Sequence, residues 1–318
     1  MKQLSFRTWM SVITIVLIGV VLFFSRHEIA RAWELMAQVN LAILALVIPA
    51  VMIGYIAAGE MVFSYLRQKK QVSNISVWAQ MRISLELNFV NHILPSGGVS
   101  GISYMNWRLG KYGVKAGKAT MAQAVRYVAG FGALSVLLVG AVFLVTIDGT
   151  VNRWIILMSS ALVSVMFGIT LFTVFLLNSV TRMRKFAHFF ARGVNAIVRK
   201  VTFGKVPKVI TAVKIEQFLE ELHEDYRELS KDKRVLIQPF LWGIFFTIVE
   251  IMIFWIVFWA LGSPVNPAPI LIAYGLASLA GFIVVTPGGA GAYEAIMVLV
   301  LSVAGMSSGQ ALAGIVLA

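Results

Sequence analysis

Ile93-Leu94-Pro95-Ser96-Gly97-Gly98-Val99-Ser100-Gly101 interrupts one strongly apolar run, and Val285-Thr286-Pro287-Gly288-Gly289-Ala290-Gly291-Ala292 interrupts another in the other half of the chain. Proline removes a backbone donor and glycine weakens a helix, so each stretch breaks a helix within a hydrophobic segment. Hydrocarbon offers no hydrogen-bond partner to the freed N–H and C=O groups. A broken helix at membrane depth is therefore tolerated only inside protein or against a watery cavity. A matched pair of Gly/Pro interruptions in the two halves of a chain points to a transport site.

Composition sets that reading in a membrane. Of the 318 residues 59% are hydrophobic and 13% charged, where a soluble chain carries about 25% charged residues. The mean hydropathy is +0.86. These values belong to a polytopic all-α membrane protein. A net charge of +13 would suit nucleic acid binding, but Lys and Arg gather between the apolar runs, as expected of cytoplasmic loops, and nucleic acid is set aside as a partner. The chain has no cysteine, which excludes disulfides, thiolate metal sites and cysteine nucleophiles. Its four histidines show neither HxxxH nor HExxH spacing, so no metal is expected. Nor is any other cofactor, and no ATP-binding loop is found.

Charge and length then give a path through the bilayer. Residues 9–24 follow Lys2 and Arg7 and precede no small-residue cleavage site, so they read as a retained first span with the amino end inside. Residues 26–40 alternate charged and apolar side chains like a short interfacial helix outside. Residues 41–66 return inward, carrying Glu60, and end at Arg67, Lys69 and Lys70. Residues 78–94 form a helix about 25 Å long, short of a core about 30 Å thick. A full crossing there would put Arg108, Lys111, Lys115 and Lys118 outside and invert every later loop. A re-entrant hairpin over 78–118, dipping from the cytoplasm, restores the parity.

Residues 119–147 make a long span with Arg126 near its inner end, and 154–177 return inward. The polar segment 182–234 is cytoplasmic; it is basic at first, and its later part spaces Ile215, Phe218, Leu219, Leu222, Tyr226 and Leu229 as an amphipathic helix. Residues 235–261 cross outward with Glu250 near the middle and Trp255 and Trp259 toward the outer interface. Residues 270–286 are again about 25 Å long, and a helix at 292–305 follows. This is a second re-entrant hairpin, 270–305, dipping from the opposite face. The apolar helix begun at 310–318 stops without flanking charges and reads as truncated. The whole of 1–318 is expected to be one integral membrane domain.

Asn91-x-x-Leu94-Pro95-Ser96-Gly97-Gly98, the polytopic frame, the basic middle loop and the late Pro287-Gly288-Gly289-x-Gly291-x-x-Glu294 together resemble the flippase-like family, also called the lysylphosphatidylglycerol synthase transmembrane region. The resemblance covers nearly the whole chain. It implies an integral plasma-membrane protein that moves charged lipids, aminoacylated or anionic, between leaflets. In bifunctional relatives a separate soluble domain attaches the amino acid; nothing in these residues corresponds to it, so synthase activity does not carry over. Many relatives place an acid and a base soon after the first Pro-Gly break, where this chain has uncharged Val99-Ser100-Gly101-Ile102-Ser103. The acid of the second motif is matched by Glu294.

Each candidate residue has a functional and a structural reading. Pro95, Gly97, Gly98 and Gly101 either form a tight turn between packed helices or, with the helix that starts after Gly101, offer free N–H groups and a positive dipole end to a phosphate. Asn88, Asn91 and His92 lie within about one turn and either line that cavity or glue helices together. Arg126, Glu86 and Glu250 are intramembrane charges, costly unless paired or wetted. They form ion pairs, or Arg126 attracts a lipid phosphate while the acids balance it. Arg82 snorkels to the inner headgroups. Pro287, Gly288, Gly289 and Gly291 repeat the broken-helix site, and Glu294 either binds substrate or simply caps its helix.

The expected function is translocation of a phospholipid or polyprenyl-phosphate lipid, its headgroup passing through a polar cavity between the hairpins, without covalent catalysis. The rival readings are an ion or small-solute transporter, a membrane enzyme using Glu86, Glu250 or Glu294 as acid and base, and a scaffold for a lipid-modifying synthase. A homo-oligomer is a further expected partner state.

Overall fold

A computed structural model describes residues 26–72, 75–93, 99–148, 178–201, 232–263, 265–283 and 291–318, with single positions between 157 and 176 and at 211 and 213. The regular structure among the described residues is entirely helical: α1 (Arg26–Ala37), α2 (Leu41–Leu44), α3 (Val47–Gln68), α4 (Val77–Ile93), α5 (Val99–Gly110), α6 (Ala116–Asp148), α7 (Val180–Val201), a 3₁₀ turn (Lys233–Leu236), α8 (Ile237–Ala260), α9 (Pro267–Ile283), α10 (Ala292–Val303) and α11 (Ser308–Leu317). The chain divides into two compact units, one of Leu22–Met166 with Val235–Ala318 and the other of Met1–Val21 with Phe167–Arg234.

In the larger unit, three stretches are long and apolar enough to cross a membrane: Leu41–Gln68, Ala116–Phe143 and Lys233–Ala260. Each rises about 42 Å, more than a hydrocarbon core needs. The corresponding helices α3, α6 and α8 pack on one another, and small residues let them approach. Gly243 of α8 faces Ala129 of α6, where a Cβ would stand 3.1 Å from the Ala129 carbonyl oxygen. Gly54 of α3 packs on Val249 and Glu250 of α8. Such contacts are how membrane helices gain packing energy when lipid is as apolar as their own side chains. The outward stripe of α8, Leu241, Phe245, Ile248, Met252 and Trp259, is exposed. The spacing is that of one helix face, and a continuous apolar stripe of that length marks the lipid side.

The shorter helices pack on this frame in pairs. α4 lies on α3 and α5 on α6, with α4 and α5 in mutual contact. α9 lies on α6 and α8, α10 lies on α9, and α11 joins α10 to α1. An apolar core runs through Leu138 of α6, Phe258 of α8, Ile270 and Ala273 of α9, Met297 and Val300 of α10 and Ala311 of α11. α8 and α10 end in Gly262 and Gly305 with φ of 73° and 98°, the left-handed residues that let the following N–H reach back, Ser263 to Phe258 and Met306 to Leu301.

The element boundaries follow the sequence reading closely, with four differences. The 41–66 span contains a turn at Ala45 and Leu46 between α2 and α3. α9 begins at Pro267, since proline suits a first helical turn, and α11 begins at Ser308 because Ser307 and Gln310 cap each other's backbone N–H groups. α5 starts at Val99, so Gly101 sits inside its first turn instead of preceding it. The predicted first span, most of the 154–177 return and the predicted amphipathic helix at 215–229 lie outside the described residues. In their place, the basic stretch before them forms α7.

Candidate functional site

Four helices of the larger unit bring polar side chains together at mid-depth. Glu250 lies about 20 Å along α8, and Arg126 about 15 Å along α6. Tyr274 comes from α9 and Tyr293 from the second position of α10. Tyr274 is within electrostatic range of both Arg126 and Glu250 and in hydrogen-bonding reach of Ser278, one turn on. Tyr293 is within range of Glu250 and Glu294. Among the described residues neither Arg126 nor Glu250 has an ion-pair or hydrogen-bond partner. Protein surrounds all four nearly completely, yet each keeps part of its surface open. The four side chains thus form one polar cluster on α6, α8, α9 and α10.

The first helix pair reaches the same level through α3. Asn88 of α4 donates to the Tyr55 hydroxyl at 2.8 Å. The preceding residue, Gly54, is the one against which the Glu250 carboxylate packs, 3.7 Å from where a Cβ would stand. One turn of α3 thus touches the polar residues of both halves. A His92 ring nitrogen bonds the Asn88 carbonyl at 2.8 Å. Asn91 faces away from this contact and packs on Gly101 of α5, whose missing side chain is what admits the amide. Its Oδ1 is buried with no hydrogen-bond partner among the described residues. Gly101 is therefore a close-approach glycine within a helix that starts earlier than expected, so its first-turn N–H groups begin at Val99.

Several predicted charges are occupied structurally. Glu86 accepts from Arg82 at 2.9 Å within α4, pairs with Arg108 of α5 at 3.3 Å, and accepts from the Tyr104 hydroxyl of α5. It ties α4 to α5. Glu60 pairs with Arg67 two turns on, and Arg67 reaches Gln80 of α4 at 3.5 Å. Glu294 accepts from the Gly291 N–H at 2.6 Å, where Gly291 holds φ of 86°. This is the capping geometry for an acid at the third helical position, and it uses one oxygen of the carboxylate.

Pro95, Gly97, Gly98, Pro287, Gly288 and Gly289 lie outside the described residues. Sequence reasoning overlooked Tyr55, Tyr274 and Tyr293. Membrane tyrosines concentrate at the interfaces, so a tyrosine in the interior of an apolar helix is the signal that could have found Tyr55 and Tyr274. It also overlooked Gln123 of α6, buried with neither amide atom partnered. A cavity of about 440 Å³ lies elsewhere, between the end of α1, α2 and the end of α8. Its Asn40 side chain is already engaged in capping α2, and it holds no charged group.

Known proteins agree with the membrane architecture. A segment of 94 residues, 30% of this chain, is 32% identical to a UPF0104 membrane protein of Methanothermobacter thermautotrophicus and takes up 28% of that protein. No solved structure matches the chain. The family described as the lysylphosphatidylglycerol synthase TM region matches residues 9–318, essentially from end to end. With three membrane-length helices, two flanking helix pairs and a polar cluster between them, the chain belongs to the lysylphosphatidylglycerol synthase transmembrane-region family.

Proposed function

We propose that this protein moves a charged phospholipid or polyprenyl-phosphate lipid between the leaflets of the cell membrane, its headgroup passing through the hollow lined by Arg126, Glu250, Tyr274 and Tyr293. The observation that carries the reading is the placement of an arginine and a glutamate within two membrane-length helices, with no ion-pair partner among the described residues. Unpaired intramembrane charges are costly and mark a path for substrate or ions. Arg126 supplies the cation for a phosphate, and the phenols of Tyr274 and Tyr293 supply neutral hydrogen-bond donors beside it. In this reading α4 with α5 and α9 with α10 are re-entrant hairpins dipping from opposite faces, and alternating exposure of the hollow replaces covalent chemistry. Engagement of Glu86 and Glu294 in structural contacts leaves Glu250 without a second acid beside it, which favours transport over acid-base catalysis.

The test is reconstitution in vesicles containing fluorescent lipids of different headgroups, read by protection of the inner-leaflet label from a membrane-impermeant reductant added outside. Headgroup-dependent loss of protection, abolished in Arg126→Gln, supports the proposal. Rates equal to protein-free vesicles for every anionic, cationic and polyprenyl-phosphate lipid tried would overturn it.

A further inference from the structure

Helix α7 has a construction unlike any other among the described helices. Across Val180–Val201 it carries Arg182, Arg184, Lys185, Arg192, Arg199 and Lys200 and no acid. At about 100° per residue, Arg184, Lys185, Arg192 and Arg199 fall on one face, and Met183, Phe186, Phe190 and Val194 on the opposite one. Part of the apolar side is covered: Met183, Ala187 and Ala191 are buried. The remainder is not, since Phe189 is 71% and Phe190 45% exposed. Phe186 and Phe190 stack at 5.8 Å, forming an aromatic strip between the covered side and the bases.

Its direction is also fixed. Phe172 and Phe186 would lie about 21 Å apart in one continuous helix, but their ring centroids are 5.7 Å apart. Arg182 donates to the Phe175 carbonyl at 2.5 Å and holds its guanidinium 4.0 Å over the Phe175 ring. The chain therefore turns sharply at Asn178 and Ser179, and the start of α7 packs back on Phe172 and Phe175 of the apolar segment before it. By sequence that segment is the return span 154–177, so α7 starts within a few residues of the membrane surface.

We infer that α7 is an interfacial helix that binds the anionic headgroup layer of the cytoplasmic leaflet. The occupant is an acidic phospholipid surface for two reasons. The face offers positive charge with no acid among α7's own residues to offset it, and the aromatic strip beside it has the depth of the acyl boundary. The surface is already at hand at the end of the preceding segment, so no second macromolecule is required. Arg184, Lys185, Arg192 and Arg199 meet the headgroups while Phe186, Phe189 and Phe190 sit below them. This assignment is independent of what the larger unit transports.

The absence of native cysteine makes the test direct. Phe190→Cys and Arg192→Cys variants of the full chain, each carrying an environment-sensitive fluorophore, are placed in nanodiscs of phosphatidylcholine with or without phosphatidylglycerol. With phosphatidylglycerol present, the label at 190 should be quenched by shallow nitroxide-bearing lipids and resist iodide by roughly threefold or more relative to the label at 192. Removing phosphatidylglycerol, raising salt, or combining Arg184→Gln, Lys185→Gln and Arg192→Gln should each restore iodide access at 190. Phe189→Cys provides a second reporter should Phe190→Cys disturb the helix. Equal iodide access at 190 and 192 with no nitroxide quenching, the result expected if α7 serves a soluble partner, would overturn the proposal. So would lipid quenching that ignores both salt and headgroup charge.

Discussion

Glu250 offers the sharpest separation between a structural and a functional side chain. Its carboxylate sits at mid-depth against Gly54, with Tyr274 and Tyr293 in electrostatic range and no ion-pair or hydrogen-bond partner among the described residues. A charged residue at the centre of a membrane helix costs roughly 2.5–3.5 kcal/mol on insertion scales. Nearby dipoles return part of that, so an apolar side chain of similar volume should stabilise the fold by about 1–2 kcal/mol. Glu250→Met is the perturbation. For a chain of this size the gain corresponds to a rise of about 2–6 °C in the midpoint of thermal unfolding, measurable by fluorescence-detected size exclusion of heated detergent samples. Translocation in vesicles should fall tenfold or more, equivalent to about 1.4 kcal/mol of lost transition-state stabilisation. Glu250→Gln should match the wild type in stability and follow Glu250→Met in activity. A loss of 1 kcal/mol or more in stability in Glu250→Met would show that the acid holds the bundle together. Full translocation in either variant would remove the cluster from the pathway.

Glu86 should behave in the opposite way: Glu86→Gln loses about 2 kcal/mol of stability as the ties to Arg82, Arg108 and Tyr104 weaken together, and Tyr104→Phe alone loses about 1 kcal/mol, both read as thermal shifts. Asn88→Ala with Tyr55→Phe forms a double-mutant cycle whose coupling should be about 0.5–1 kcal/mol, the usual worth of an interhelical hydrogen bond in a membrane. Additive losses would show that the 2.8 Å contact contributes nothing. Gly243→Val forces a branched side chain against the Ala129 carbonyl and should cost about 1–3 kcal/mol by separating α8 from α6, lowering the yield of monodisperse protein. Glu294→Ala removes a cap worth about 1 kcal/mol, with translocation expected to stay within about twofold of wild type on that scale.

Helix boundaries and the membrane class were legible because apolar length and flanking charge act locally. α4, α6, α8 and α10 begin or end within a few residues of the reading made from composition alone. Arg126 and Glu250 were legible as costly charges for the same reason. What periodicity cannot supply is the opposing helix. Glu86 was legible as one side of an ion pair, but its partners Tyr104 and Arg108 come across from α5. Gly101 looked like a helix breaker, yet its role is to admit the Asn91 side chain. Tyr293, in the first turn of α10, carried no sequence signal, and the one Tyr274 carried, a phenol inside an apolar helix, gains meaning only once an unpaired charge is found beside it. α7 was read only as a run of positive charge, since its apolar residues are small or aromatic and interleave with arginines.

The two helix pairs are attached to the frame by different kinds of contact, and the difference bears on how a hollow between them could open. α9 and α10 share an apolar core with α6, α8 and α11 through residues that are almost wholly inaccessible, among them Ile270, Ile272, Met297 and Val300. Close-packed interiors of that kind resist continuous deformation. α4 and α5 bury Ile83, Leu87, Met105 and Leu109 as well, but α4 also meets α3 through Asn88 and Tyr55, Gln80 and Arg67, and Ser84 against Gly59, and meets α5 through the Glu86 hub. Directional polar contacts can be exchanged one for another, with water or a headgroup serving as the interim partner, at far smaller cost than opening a dry core. In the proposed transport reading, α4 and α5 are therefore the pair expected to move, with α9 and α10 held by their apolar core. Asn91 Oδ1, buried and without a hydrogen-bond partner among the described residues, is an acceptor on that pair still open to a polar partner.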